Sequence, residues 1–381
     1  MFHRIFNHLR SQSFFIFGAR GTGKSTYLEM QFDEPKYTIN LLEEGPFTRY
    51  ATNTDLLRTD LKSAGIKNEW VVIDEIQKVP KILDAVHHLI EREKYKFILT
   101  GSSARKLKRQ SADLLAGRAF SYNLYPLTFL ELGDTFHLEN VLKWGSLPKV
   151  FSLDATNKAE YLRSYGQTYL KEEILQEQIV RTGVTFQNFL AVAAQENGKL
   201  INFSKIAKDI GADVKTVQNY FQILEDTLVG FFLPAYHRSV RKSVGQAPKF
   251  YLFDLGIKRA LEGALQQDLK SSTSLYGDSF EHFFITEFIR LNNYSRSDYL
   301  TYQYHTNTGG EVDLVATRGK EILAIEIKSY TQIREEDALK FSKAAGDIKA
   351  TKKVLVSQDQ VSTTIKDVSC TNWQAFLKTL I

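Results

Sequence analysis

Phe14-Phe15-Ile16-Phe17-Gly18-Ala19-Arg20-Gly21-Thr22-Gly23-Lys24-Ser25 runs a short apolar strand into a glycine-rich loop, and the following Thr26-Tyr27-Leu28-Glu29-Met30 reads as a helix. The loop fits G-x-x-x-x-G-K-S/T in the strand–loop–helix setting that this pattern requires. Glycines let the backbone take positive φ and turn several N–H groups onto phosphate oxygens, while the helix presents its positive end to them. Lys24 is expected on the β- and γ-phosphates, and Ser25 is expected to give its hydroxyl to Mg²⁺. The nucleotide-binding residues are therefore Gly18, Arg20, Gly21, Thr22, Gly23, Lys24, Ser25 and Thr26. Average composition gives such a pattern by chance in about 1% of chains this long, so a chemically idle glycine turn is the weaker reading.

Outward from the loop, two further apolar runs match strand 14–17. Trp70-Val71-Val72-Ile73 ends in Asp74-Glu75, and Phe97-Ile98-Leu99 ends in Thr100-Gly101-Ser102-Ser103. Runs of this kind alternating with helical patterns predict a three-layer α/β domain on a parallel sheet, whose ligands bind at the carboxyl ends of the strands. Asp74 is then expected to hold Mg²⁺ through water, and Glu75 to orient and deprotonate the attacking water. The hydroxyls of Thr100, Ser102 and Ser103 could contact the γ-phosphate or its water, and Ser102 is the one chosen. Arg118, in Leu115-Ala116-Gly117-Arg118, is a candidate finger onto a neighbouring subunit's phosphate, with Arg105 as its competitor.

The 381 residues are 43% hydrophobic and 24% charged, enough apolar material for two or three folded domains. Phe2, Ile5, Phe6 and Leu9 predict a short amphipathic helix over 1–10, too interrupted by polar residues for a signal peptide. No stretch approaches the roughly 20 apolar residues of a membrane span, and the single cysteine, Cys370, has no partner for an internal disulfide; the expectation is cytoplasmic. A net charge of +5 mildly favours an anionic partner such as nucleic acid.

The expected domains are an ATPase domain over 1–150, a helical connector over 151–198, a winged helix-turn-helix over 199–260 and an α+β domain over 270–381. The connector is read from the helical spacing of Tyr161, Leu162, Tyr165, Tyr169 and Ile174. In the next block, 202–210 and 213–225 form two helical patterns about Gly211-Ala212, with Asp213 as the cap and Val217, Phe221 and Leu224 turned inward. Lys215, Thr216, Gln218, Asn219 and Gln222 face outward, with Lys215, Gln218 and Asn219 chosen for DNA, joined by Arg238, Arg241 and Lys242 of a basic loop. The other reading of this module is a protein-contact surface.

The last block predicts a helix over 278–290 containing Glu281, then strands over 300–304, 311–317 and 321–328. Alternation puts Ala324, Glu326 and Lys328 on one face of the third strand. Asp313 in the preceding strand would stand beside Glu326, giving oxygen ligands for a second Mg²⁺ or for Mn²⁺, and Lys328 would steady a hydroxide or phosphate.

Taken together, Gly18 to Ser25, Ile73-Asp74-Glu75-Ile76-Gln77, Leu99-Thr100-Gly101-Ser102-Ser103, Ala116-Gly117-Arg118 and Tyr125-Pro126-Leu127-Thr128-Phe129 resemble an AAA+-type P-loop ATPase. The resemblance is to the bacterial and archaeal group that carries a C-terminal domain of unknown function, and it covers nearly the whole chain. It implies an ATPase working as a ring-like homo-oligomer, with a hexameric ring as one form. Glu281, Asp313 and Glu326-Ile327-Lys328, on a helix followed by three strands, resemble the restriction-endonuclease-like PD-(D/E)xK superfamily, with Glu281, Asp313 and Glu326 as the implied metal ligands. The function expected is an ATP-driven machine acting on DNA in repair, recombination or defence, whose last domain cleaves or only binds. Its rival is a nucleotide-controlled switch or scaffold for a protein partner, and a standalone small-molecule kinase is disfavoured by the length given to other modules.

Overall fold

The computed structural model describes residues 2–30, 32, 36–67, 69–102, 115, 117–169, 183–237, 245–306 and 310–381. The chain divides into two compact units, one of residues 1–127 with 226–229, the other of 128–225 with 230–381.

The first unit is built on a parallel sheet. Strands β1 (Ser13–Phe17), β2 (Lys36–Asn40), β3 (Trp70–Asp74), β4 (Lys96–Gly101) and β5 (Ala119–Asn123) lie in the order β2-β3-β4-β1-β5. Helices α1 (Lys24–Met30), α2 (Glu44–Thr52), α3 (Leu56–Ser63) and α4 (Ile82–Glu93) connect strands β1 to β4. One face packs Val71, Ile73, Phe97 and Leu99 against Leu57, Leu61, Val86 and Leu89, all buried. On the other, Phe14, Trp70, Phe32 and Tyr122 form an edge-to-face cluster.

The helix expected over 1–10 does not form: residues 2–9 carry no regular secondary structure. Phe6 stacks on His8 and meets Tyr27 and Tyr122 edge-on, while the Leu9 N–H donates to the Tyr122 hydroxyl at 2.9 Å. Arg4 and Phe6 are buried while Phe2 and Ile5 are only half-buried, so a period of two wins over the helical spacing. Burying aromatic rings in an existing cluster outweighs the weak helical preference of ten residues, too few to nucleate a helix alone.

The second unit opens with helices α5 (Phe129–Leu132), α6 (Leu138–Trp144) and α7 (Ala155–Ser164), a π turn over Tyr165–Tyr169, and α8 (Gly183–Gln195). Next come α9 (Phe203–Ile210) and α10 (Val214–Asp226), then the antiparallel pair β6 (Gly230–Leu233) and β7 (Lys249–Leu252). Asn202 and Asp213 cap the two helices, accepting the Lys205 N–H at 3.0 Å and the Thr216 N–H at 2.8 Å. Phe189, Phe221, Phe232 and Phe250 pack ring on ring between helices and hairpin.

After α11 (Leu255–Leu261) and α12 (Ser274–Ser295) the chain forms β8 (Leu300–His305), β9 (Glu311–Arg318), β10 (Glu321–Ile327), α13 (Glu335–Asp347), β11 (Lys352–Ser357), β12 (Thr363–Ile365), β13 (Val368–Asn372) and α14 (Trp373–Lys378). The sheet order is β12-β13-β11-β10-β9-β8, antiparallel through β8, β9 and β10 and parallel from β10 to β11. The architecture is thus mixed α/β, with an N-terminal parallel sheet, a helical middle and a C-terminal α+β sheet. No helix among the described residues is long and apolar enough to cross a membrane.

Candidate functional site

Strand order decides which side chains meet. Placing β4 between β1 and β3 brings the ends of three strands together: the loop after β1, the acids after β3, and Thr100 to Ser102 of β4. Gly21 and Gly23 take φ of 80° and 94°, the left-handed region that favours glycine. Gly18 is fixed by close approach, since a Cβ there would stand 2.4 Å from the Leu124 carbonyl oxygen. Lys24 is buried and its ammonium donates to the Gly18 carbonyl at 2.7 Å, folding it back over the loop. Thr22 is buried, and Arg20, Ser25 and Thr26 are exposed.

The Ser25 hydroxyl donates to Asp74 Oδ2 at 3.1 Å, so the two expected Mg²⁺ ligands, 49 residues apart in sequence, already touch. Thr100, directly opposite, donates its hydroxyl to Asp74 Oδ1 and accepts the Glu75 N–H at 3.3 Å. Glu75 itself sits at φ 59° and ψ 46°, a left-handed conformation that a non-glycine residue holds only when its surroundings impose it. Its carboxylate accepts a hydrogen bond from the Gln77 amide, which also donates to Ser102 Oγ at 3.0 Å.

Sequence reasoning offered the Thr100 hydroxyl only to the γ-phosphate, behind Ser102, and gave Gln77 no role, although both lie within the stretches that carry the resemblance. Arg4 escaped it altogether. This buried guanidinium donates to the Thr22 carbonyl at 3.3 Å and the Tyr125 carbonyl at 2.6 Å, bracing the loop from behind. Its spacing from the motif carries no signal.

Arg118 is not brought to this cluster. It precedes β5, whose Ala119 pairs with Ser13 at the start of β1, so it stands at the opposite edge of the sheet, about four residues or 13 Å from the strand ends. There it forms an ion pair with Glu91 of α4, holding that carboxyl below its ordinary range. Ser103, Arg105 and Ala116, like Arg238, Arg241 and Lys242 of the basic loop, lie outside the described residues. On α10, Lys215, Gln218, Asn219 and Gln222 are exposed; Thr216 is partly buried and spends its hydroxyl on the Asp213 cap at 2.8 Å.

In the C-terminal sheet, Asp313, Glu326 and Lys328 meet. Lys328 pairs with Glu326 at 2.7 Å and Asp313 accepts the Ile327 N–H at 2.8 Å. Burial, then the neighbouring Glu326 and Glu281, raise the Asp313 carboxyl well above its ordinary value; burial also raises Glu326 against the pull of Lys328. Glu281 is engaged elsewhere: its Oε1 accepts from the Lys249 ammonium at 3.2 Å and the Tyr251 hydroxyl at 2.6 Å. Lys249, from β7, also pairs with Glu311 at 3.1 Å; burial would depress it, but Glu281, Asp313 and Glu311 together lift it above its usual value. Among the described residues no three His, Cys, Asp or Glu side chains are grouped so as to hold a metal ion.

Comparison with known families divides the chain in three. Residues 10–133 match an AAA domain, 135–268 a domain of unknown function (DUF8612), and 276–376 another (DUF4143). Similar proteins include an uncharacterized protein of Mycobacterium tuberculosis, 23% identical over 68% of this chain and 58% of its own length. Another, from Haemophilus influenzae, is 23% identical over 68% and 65%, and one from Methanocaldococcus jannaschii is 22% identical over 88% and 79%. The chain thus spans less than two thirds of the mycobacterial and Haemophilus relatives. Among solved structures, Can2 of Sulfobacillus thermosulfidooxidans in complex with cyclic tetra-adenylate aligns over 97% of this chain and 98% of its own at 12% identity and a TM-score of 0.23. Drosophila ORC bound to AT-rich DNA and Cdc6 aligns over 67% and 86% at 9% identity and a TM-score of 0.22. Neither superposition carries an argument at such scores. The family matches do, and the chain is an AAA-type P-loop ATPase-like domain followed by a C-terminal domain of the DUF4143 kind.

Proposed function

We propose that the chain is a Mg²⁺-dependent ATPase whose turnover acts on DNA. The observation that carries the ATPase is the meeting of Ser25, Asp74, Glu75 and Ser102 at the mouth of the Lys24 loop. The donor set fits the ion, because Mg²⁺ keeps most of its waters and takes one or two protein oxygens, here the Ser25 hydroxyl and the Asp74 carboxylate at 3.1 Å from each other. Bound there, Mg²⁺ would supply charge neutralisation to the phosphates.

Lys24 leaves the Gly18 carbonyl for the phosphate oxygens. Glu75 orients a water on the γ-phosphorus and accepts its proton as the new P–O bond forms and the bond to the ADP oxygen breaks. Ser102 donates toward the γ-phosphate. Arg118, at the far edge of the sheet, would act on the phosphates of a neighbouring subunit, and a ring of copies would supply that neighbour.

The DNA reading is supported by the exposed Lys215, Gln218 and Asn219 on α10 and by the Asp313, Glu326 and Lys328 arrangement. The pair of acids suffices for a hydrated Mg²⁺ or Mn²⁺, and Glu326 Oε2 is buried with no partner among the described residues. A second reading, that the C-terminal domain only binds, is favoured by Lys249, whose ammonium already neutralises Glu281 and Glu311. Steady-state ATP hydrolysis by wild type and Glu75→Gln, alone and with single-stranded, duplex and branched DNA, tests the proposal. Glu75→Gln should bind ATP and lose about 10²–10⁴-fold in turnover, and one DNA form should stimulate the wild type alone. Wild-type turnover in Glu75→Gln rejects the site, and indifference to every DNA points to a protein-partner switch instead.

A further inference from the structure

We propose that Gln77 is a positioning residue for hydrolysis, tying the Glu75 carboxylate to Ser102 so that the water-activating acid and the phosphate-facing hydroxyl move as one. This rests on the reading of Glu75 given above. Gln77 lies in the single 3₁₀ turn Ile76–Lys78 that follows the acids, and only 6% of it is exposed. Long polar side chains are rarely buried this far unless bonded, and Gln77 has two partners, Glu75 Oε2 and Ser102 Oγ. A carboxylate only accepts, so the NH₂ end must face it, which fixes the orientation of the amide.

A second observation is independent of those bonds. The amide lies directly against β4: a Cβ on Gly101 would stand 2.6 Å from Gln77 Oε1, so any other residue there would displace it. That amide oxygen has no hydrogen-bond partner among the described residues, so the side chain is held there at a cost.

The geometry has a direct chemical consequence. One N–H on Oε2 removes the rotational freedom of the Glu75 carboxylate and leaves Oε1 to face the attacking water. The other N–H occupies a lone pair of Ser102 and leaves the hydroxyl hydrogen to be given to phosphate. Arrival or loss of the γ-phosphate at Ser102 therefore reaches Glu75 through a single amide.

The test uses the full chain and two substitutions. Gln77→Met keeps length and burial but removes the donor; Gln77→Glu keeps the shape and sets a second carboxylate beside Glu75. ATP turnover (kcat and KM), binding of a fluorescent ATP analogue and thermal melting are measured for each, with Gln77→Met also made in the Glu75→Gln background. Loss of an orienting partner typically lowers activity about 10–100-fold, so Gln77→Met should lose that much in kcat with nucleotide affinity and melting unchanged. It should cost much less in Glu75→Gln, because the part of the effect routed through Glu75 has nothing left to act on and only the Ser102 contact remains. Gln77→Glu should lose at least as much in kcat, because a carboxylate cannot donate to the Glu75 carboxylate. Wild-type or faster turnover in Gln77→Met overturns the proposal, as does an equal fractional loss in both backgrounds, a loss that follows nucleotide affinity, or wild-type turnover in Gln77→Glu. Normal turnover in Glu75→Gln instead overturns the reading beneath it.

Discussion

Thr100→Val replaces one hydroxyl with a methyl at a fully buried strand position and leaves the β-branched shape in place, so both acids lose a support while the strand keeps a side chain of the same outline. The hydroxyl accepts the Glu75 N–H at 3.3 Å and donates to Asp74 Oδ1. Glu75 holds φ 59°, a conformation costing a non-glycine residue about 1–2 kcal/mol. A neutral hydrogen bond contributes about 0.5–1.5 kcal/mol, a comparable amount, so its loss lets Glu75 relax toward extended backbone. Since about 1.4 kcal/mol is a factor of ten, the competent fraction and hence kcat should fall up to about tenfold. Asp74 keeps Ser25 but loses its second donor, which should raise the Mg²⁺ concentration at half-activity by about 10-fold or more. Hydrolysis measured across Mg²⁺ concentrations, beside nucleotide binding without metal, reads both effects. Binding should hold, because Lys24 and the loop are untouched, and Thr100→Ser should restore the wild type. Unchanged kcat and Mg²⁺ midpoint in Thr100→Val, or a serine variant as slow as the valine one, would refute this account of how the acids are held.

Asp313→Ala and Glu326→Ala should each leave ATP turnover intact while abolishing any Mg²⁺- or Mn²⁺-dependent DNA cleavage; cleavage persisting in both would move the chemistry elsewhere. The C-terminal unit also predicts a pH signature. Burial, opposed by Arg290 at 3.1 Å and by the Phe129 N–H and reinforced by Glu131, pushes Glu287 up to about 7. Folded protein then keeps a proton that the unfolded chain releases above about pH 4.3, so this group makes stability fall from there to about pH 7. Burial drags His282, bonded to the Leu252 carbonyl at 2.6 Å, down to about 3. The unfolded chain therefore binds the extra proton below about pH 6.5, and this group makes stability rise with pH up to there. The two slopes oppose each other between about pH 4.3 and 6.5, so Glu287→Gln, which removes the falling one, should tilt the melting temperature upward with pH relative to the wild type. Parallel profiles in the two proteins would refute the assignment.

The nucleotide end of the chain was legible because its chemistry is contiguous: Gly18 to Ser25 and Trp70 to Glu75 are each one strand with its own loop, and a local pattern suffices. Thr100, Gln77 and Arg4 were not, for one physical reason. Each acts on a group that only the strand order and register bring near. No spacing rule says that Thr100 will face Asp74, that Gly101 will clear space for an amide two residues past the acids, or that an arginine before the first strand will reach the Thr22 carbonyl. The same reason undid the opening helix. Phe2, Ile5, Phe6 and Leu9 carry a helical period, but Phe6 and His8 answer to Tyr27 and Tyr122, whose position the local pattern does not contain. It also hid Lys249, which enters the acid cluster from a strand of the preceding hairpin and engages Glu281 and Glu311. Local sequence therefore identifies the groups that react, while the groups that hold them at their angles come from across the sheet. That division is why the substitutions able to refute the mechanism fall on Thr100 and Gln77, where a merely structural polar residue would change stability and leave kcat alone.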